Sequence, residues 1–317
     1  MCKIKVAFKG LVCYKKNMTT SLFYYFVAFL APFFYAISVI IESFLSLAIF
    51  KRPIVMLFFV SLTNALFTPF VLFLGWPTIP TFQSLMMYVL IALIDIGYLY
   101  PYYVALKKTD VSIVSSLFSL GQIFVPILAF VFLGDSLTLV QYIGFFTIIF
   151  TASFLNKKST VHFRLNKAFY LMFISSFLLA IRVCCAKFVI GLDQNVVNVL
   201  IYPNLLSGLI PFTFLLSVRN KYAIKRKWPV YKKQFKFFAV IEFLTFLAVS
   251  SSTVALEHLS PVVSKAIEAT EPLFVLTLAL IVNASGIFHF KEKTSLQKKV
   301  VCFLLIISGI VLTCFFE

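Results

Sequence analysis

A short polar stretch interrupts an otherwise apolar part of the sequence. Residues 264–272 read Ser-Lys-Ala-Ile-Glu-Ala-Thr-Glu-Pro. Lys265, Glu268 and Glu271 are three positions apart, so on a continuous helix their side chains lie along one inclined stripe. Groups of both signs at this spacing can bind an ammonium and a carboxylate. Because one lysine faces two glutamates, a buried carboxylate is left in excess and favours its protonated form. Glu271 is therefore the candidate proton carrier.

The same stretch admits a purely structural interpretation. Lys265 would pair with Glu268 and hold two helices together, while Pro272 would only kink the helix. A charged side chain that faces lipid at the bilayer centre costs about 2.5–3.5 kcal/mol. Under either interpretation, we expect the stripe to face the inside of the protein or a wet cavity.

Further ionisable residues lie inside apolar runs. Arg182 and Lys187 are five positions apart in one run, and Lys187 is close enough to its end to extend to lipid headgroups. Asp95 and Tyr98 share another run, where an acid beside tyrosines suits a helix contact as well as a ligand. All four are candidate substrate-binding residues. Two more acids that fall nearer the ends of their runs are Glu42 and Glu242.

Composition identifies the class of protein. Hydrophobic residues make up 62% of the chain and charged residues only 12%, which is typical of a polytopic membrane protein and not of a soluble globule. The net charge of +17 comes from lysines and arginines between the apolar runs, with no aromatic residues interleaved in a basic patch. We therefore expect anionic membrane lipid as the partner of these basic loops, and no nucleic acid.

The hydrophobic pattern predicts an all-α integral membrane protein with ten transmembrane helices. Each apolar run has about the 17–25 residues that cross a bilayer as helix. The segments 156–167 and 219–236, which are basic, are expected outside the membrane. The predicted spans are 22–48, 54–74, 84–106, 111–133, 138–155, 168–190, 196–218, 236–256, 261–283 and 299–316.

An internal repeat divides the chain. Residues 104–130 align with 254–280 at a shift of 150 positions, with Val-Ala-Leu, Phe-Val and Leu-Ala in common. Five spans in each half make the second half cross the membrane in the opposite sense, which is an inverted repeat. The predicted division is a basic tail (1–21), a first repeat (22–160) and a second repeat (161–317). Such repeats place a binding site near the midplane and favour transport by alternating access.

Motifs for other chemistry are absent from the sequence. It has no P-loop, zinc-protease, nucleophile-elbow or dinucleotide-binding pattern. Its three histidines fall in predicted loops or at span ends, and its six cysteines show no metal or disulfide spacing. We therefore expect no enzyme activity, cofactor or metal, but a secondary carrier of a small molecule, with proton coupling, exchange and facilitation open. The alternative is a membrane scaffold or receptor that transports nothing.

Residues 119–144 resemble the end of an EamA repeat, the unit of ten-helix carriers in the drug/metabolite transporter superfamily. In that pattern a helix with a Glu-Pro pair ends in Leu-Gly-Glu, and a Thr-x-x-Gln-x-x-Gly helix follows. Here Leu-Gly-Asp occupies 133–135 and Thr138 starts the next helix. The second half supplies the pair itself as Glu271-Pro272. The resemblance implies a carrier of a small polar or zwitterionic metabolite, such as an amino acid or its derivative.

Two positions depart from the family pattern. Gly121-Gln122 replaces the Glu-Pro pair of the first half, so the resemblance leaves only the Gln122 amide as a site candidate there. Tyr35 stands where many members have tryptophan, and it is the aromatic site candidate of the first span.

The loops after the odd-numbered spans carry most of the 28 lysines and arginines. By the positive-inside rule these loops face the cytoplasm and both termini lie outside, in a plasma or inner membrane. The basic N-terminal tail and part of the superfamily favour the opposite orientation.

Overall fold

The computed structural model describes residues 18–108, 114, 124–134, 138–155 and 167–284, together with 301, 304, 305, 308, 309 and 312. The regular structure of these residues is helical, without a strand among them. The helices are α1 (Met18–Phe44), α2 (Pro53–Phe67), α3 (Phe82–Leu106), α4 (Phe124–Leu133), α5 (Leu139–Leu155), α6 (Lys167–Asp193), α7 (Val196–Leu209), α8 (Val218–His258), α9 (Pro261–Glu268) and α10 (Glu271–Ala284). A π-helix (Leu45–Ile49) extends α1, and 3-10 helices (Thr68–Phe73 and Ile210–Leu216) extend α2 and α7.

Six helical segments of the described chain are long and apolar enough to cross a membrane: Leu22–Phe44, Pro53–Phe73, Phe82–Leu106, Tyr170–Asp193, Val196–Leu216 and Val218–His258. Large apolar side chains on the outer surface, such as Phe23, Phe26 and Phe130, are exposed by 60% or more. Lipid tails solvate such side chains as well as a protein core does. The chain is an integral multi-pass membrane protein.

The ten-span count and the inverted repeat stay predictions. In the predicted span 111–133, most residues that precede α4 lie outside the described residues. The same holds for most of the predicted span 299–316.

The basic stretch 219–236 is not a loop, contrary to the sequence-based expectation. It forms the first part of α8, a single helix of 41 residues. Lysine, arginine and glutamine are good helix formers, and the helix accommodates Pro229 on its exposed side. At 1.5 Å per residue, α8 is about 60 Å long, roughly twice the hydrocarbon thickness. Its basic part therefore extends beyond the hydrocarbon.

Two helix pairs form the frame around the interior. Helix α1 packs along α8, and α3 packs along α6. The first pair is antiparallel, because Tyr24 stacks on His258 at 3.7 Å between ring centroids, while Phe44 lies 6.5 Å from Phe237. At the far end, Lys227 Nζ donates to the Ile49 carbonyl at 3.0 Å, which caps the end of the π-helix.

Candidate functional site

The polar stretch 264–272, in the second half of the chain, is built on a broken helix. Ser260 caps α9 by accepting a hydrogen bond from the Val263 N–H at 3.3 Å. Helix α9 ends at Glu268, and α10 begins at Glu271. A continuous helix would need an N–H at Pro272 to bond the Glu268 carbonyl, and proline has none. The expectation of three charges on one continuous helix is therefore wrong, although all three side chains line the same cavity.

This central cavity has a volume of about 130 Å³. A water needs roughly 10–15 Å³ in the same measure, so the space suits a small molecule of on the order of ten non-hydrogen atoms. Its walls come from α1, α3, α6, α8, α9 and α10, and they combine tyrosines, hydroxyls and charged groups. The polar lining residues are Tyr35, Ser38, Glu42, Tyr98, Tyr102, Arg182, Thr245, Ser252, Thr253, Lys265, Glu268 and Glu271.

The first charged pair of the cavity lies within α9. Lys265 Nζ donates to Glu268 Oε2, and the Ser252 hydroxyl of α8 donates to the other carboxylate oxygen. Lys265 is 5% exposed and Glu268 6%. A buried pair with additional hydrogen bonds compensates its loss of hydration, whereas removing one member leaves a stranded charge.

The second charged pair joins α3 and α6. Arg182 Nε of α6 lies 2.6 Å from Asp95 Oδ1 of α3. Arg182 faces the cavity, whereas Asp95 is outside the lining and supports the arginine from behind. Tyr35 lines the same cavity and interacts electrostatically with both Arg182 and Glu268, so this aromatic side chain lies near both charged pairs. Tyr98, also predicted from the sequence, lines the same space.

Glu42 lines the cavity, although the sequence analysis does not place it among the candidate substrate-binding residues. Its two carboxylate oxygens accept hydrogen bonds from Tyr103 at 2.8 Å and from Tyr102 at 3.3 Å. The adjacent tyrosines of α3 were the available signal, because buried phenols need hydrogen-bond partners. The sequence alone could not show which helix supplies that partner.

One other predicted site residue, Lys187, stands apart from the cavity. Its ammonium donates to the carbonyls of Leu256 at 2.5 Å, Glu257 at 3.0 Å and Leu259 at 3.1 Å, and so caps the end of α8. Gln122 lies outside the described residues.

A second polar cluster, not predicted from the sequence, lies at the junction of α3, α6 and α7. Asp193 accepts hydrogen bonds from the hydroxyls of Ser84 and Tyr88 and from the Asn198 amide, the last two at 2.5 and 3.1 Å. Asn198 in turn accepts from the Thr78 N–H at 2.8 Å. The cluster fixes the connection before α3 to the start of α7. Throughout the described part of the chain, no group of three or more potential metal ligands occurs.

Two comparisons with known proteins concern the first half of the chain and the overall fold. Residues 22–157 match the model of the EamA-like transporter family. The resemblance noted in the first half is thereby confirmed. A crystal structure superposes on 92% of this chain and 95% of its own, with a TM-score of 0.66 and 12% sequence identity, which shows a shared fold. No curated protein sequence matches the chain.

Proposed function

We propose that this chain, whose residues 22–157 match the EamA-like transporter family, is a secondary transporter of a small polar or zwitterionic metabolite, such as an amino acid or its derivative. The EamA family suggests a transporter of the drug/metabolite superfamily. The observation that carries the substrate class is the cavity with an arginine, a lysine and three glutamates in its lining. A zwitterion presents one group to each sign of charge.

Substrate binding proceeds by exchange of ionic partners in this proposal. Without substrate, Lys265 and Glu268 satisfy each other. An entering carboxylate binds Lys265, with Arg182 also in the lining, while the ammonium of the substrate replaces Lys265 at Glu268, with Glu271 also in the lining. No charge is stranded in low dielectric at any stage, so exchange avoids the penalty that opposes a lone buried ion. Tyr35, in the same lining, supplies an aromatic ring that attracts a cation.

Alternating access requires the helices around the cavity to change their relative angle. The pairs α1–α8 and α3–α6 are each packed along their length, so we infer that each moves as a unit. The break between α9 and α10 lies at the cavity, where interrupted helices often provide the binding site of carriers. Glu271 begins α10 and faces the cavity, which supports its proposed role as an exchangeable proton carrier.

The basic part of α8 supports a contact with an anionic membrane leaflet. Lys221, Lys225, Arg226, Lys232 and Lys233 are exposed along this helix. Each basic side chain near an anionic surface contributes about 1 kcal/mol. We place the chain in the plasma or inner membrane with this surface on the cytoplasmic side.

A competition screen in proteoliposomes tests the substrate class. Proteoliposomes with the wild-type protein take up mixed radiolabelled amino acids from the outside medium. Unlabelled amino acids, lipophilic cations or sugar phosphates are added to that medium as competitors. Competition by amino acids supports the proposal. Competition only by lipophilic cations or only by sugar phosphates contradicts it, and so does the absence of any uptake.

A further inference from the structure

A second acid lies beside Glu42 in the interior. Ser38 Oγ of α1 donates to the Ile241 carbonyl of α8 at 3.3 Å, and the Thr245 hydroxyl donates to Ser38 at 3.4 Å. One turn further along α1 is Glu42, and Glu242 follows Ile241 directly. The two carboxylates interact electrostatically. Two acids from different helices thus share one buried region of the α1–α8 interface.

The two acids differ in how their oxygens are satisfied. Both oxygens of Glu42 accept tyrosine hydroxyls. Glu242 is 3% exposed, and its Oε1 atom has no hydrogen-bond partner among the described residues. Within that part of the chain, neither carboxylate forms an ion pair with a lysine, arginine or histidine. Two anions here would repel each other in low dielectric without a compensating cation.

A single bound proton removes the repulsion between the two carboxylates. The tyrosine hydroxyls stabilise Glu42 as the anion, because hydrogen bonds to a carboxylate favour its charged form. A proton on Glu242 removes its charge and makes it a hydrogen-bond donor. We propose that Glu42 and Glu242 form a buried proton-binding site, with the proton held on Glu242 and Glu42 connecting it to the cavity.

Nearby titratable groups provide a connection to the substrate region. Tyr102 donates a hydrogen bond to Glu42 and also interacts electrostatically with Glu271, and all three side chains line the same cavity. The use of the pair in coupling rests on the proposed transport function, whereas the proton site itself does not. The other titratable groups that interact electrostatically with one or both acids are Tyr98 and Tyr103 of α3 and Tyr231 of α8, and Arg182 of α6 lines the same cavity as Glu42.

Infrared spectroscopy of the full chain in lipid bilayers tests this site without substrate. The carbonyl stretching band of protonated carboxyl groups is followed from acidic to alkaline pH in wild type, Glu42→Gln, Glu242→Gln and the exposed control Glu257→Gln. We expect the wild-type band at neutral pH to contain a component that Glu242→Gln lacks. Glu42→Gln keeps the band at a shifted frequency, because Glu242 remains buried without a cation. The control keeps the wild-type band.

Three results overturn the proton site: no carboxyl band in wild type at neutral pH, the same band in Glu242→Gln, or removal of the band by Na⁺ at constant pH. The last result would assign the pair to a metal cation instead. If Glu242→Gln does not fold, the Glu42→Gln spectrum tests the proton site instead. A carboxyl band at the wild-type frequency in Glu42→Gln would contradict the pairing of the two acids. The spectra need no substrate, so a failed uptake assay would contradict the proposed transport function and leave the proton site standing.

Discussion

Arg182 and Asp95 tie α6 to α3 through a contact of 2.6 Å between Nε and Oδ1, at the edge of the cavity. Because Arg182 also faces the cavity, one side chain serves both the packing of two helices and the charge of the proposed binding site. Ion pairing fixes the guanidinium in place before a substrate arrives, which reduces the ordering cost of binding.

Removing Arg182 alone should leave the buried Asp95 carboxylate without its cation. We expect Arg182→Ala to lower the free energy of unfolding by about 3–5 kcal/mol, as for other broken buried pairs. The double variant Arg182→Ala/Asp95→Ala should recover part of this loss, since no charge is then stranded. Thermal unfolding in detergent measures both effects. Equal Tm values for wild type and the single variant would contradict a structural role for the pair.

Glu271→Gln should separate substrate binding from proton coupling. The amide keeps the size and hydrogen-bonding capacity of the side chain but cannot release a proton at neutral pH. We expect substrate exchange to continue while accumulation driven by a pH gradient is lost. Both are measured in proteoliposomes with an imposed gradient. Accumulation at the wild-type level would show that Glu271 is not the proton carrier.

The Asp193 cluster should matter for stability. Hydrogen bonds to a charged acceptor contribute about 1.5–3 kcal/mol each, though not additively. Asp193→Ala removes the acceptor of Ser84, Tyr88 and Asn198, so we expect a lower Tm. Asp193→Asn, which retains one acceptor oxygen, should lose less. Identical Tm values for both variants and wild type would mean that the cluster stabilises nothing.

The orientation of the chain is open to direct labelling. The positive-inside rule places the basic part of α8 in the cytoplasm. A single cysteine at the exposed position of Lys221, in a background without the native cysteines, should resist an impermeant thiol reagent in intact cells. It should react after the cells are permeabilised, which is the control. Ready labelling of intact cells would reverse the orientation.

The membrane class and the first-half family could be predicted because they depend on composition and local pattern. Long apolar runs are visible in sequence whatever their packing, and residues 22–157 carry the family pattern. Lys265, Glu268, Arg182 and Tyr35 could be selected as candidates for the same reason: charges or unusual aromatics inside such runs are rare.

Partnerships across helices could not be predicted. Nothing local in the sequence shows that Glu42 lies beside Glu242, 200 positions later, since that depends on how α1 packs along α8. The snorkelling lysine expected at position 187 instead caps α8, because three carbonyls at the end of that helix lie within its reach. Pro272 predicts a kink from the sequence, but the structure shows a full break between α9 and α10.

The most direct test of the account is uptake of radiolabelled amino acids into proteoliposomes by wild type, Lys265→Ala, Glu268→Ala, their double variant and the exposed lysine control Lys225→Ala. We expect uptake by wild type and by Lys225→Ala, and at least about a tenfold loss of uptake in the other three variants, because both members of the pair bind substrate. The single variants should remain in the membrane, with some loss of stability. Normal uptake by both single variants, or recovery of uptake in the double variant, would show that Lys265 and Glu268 only hold the structure together.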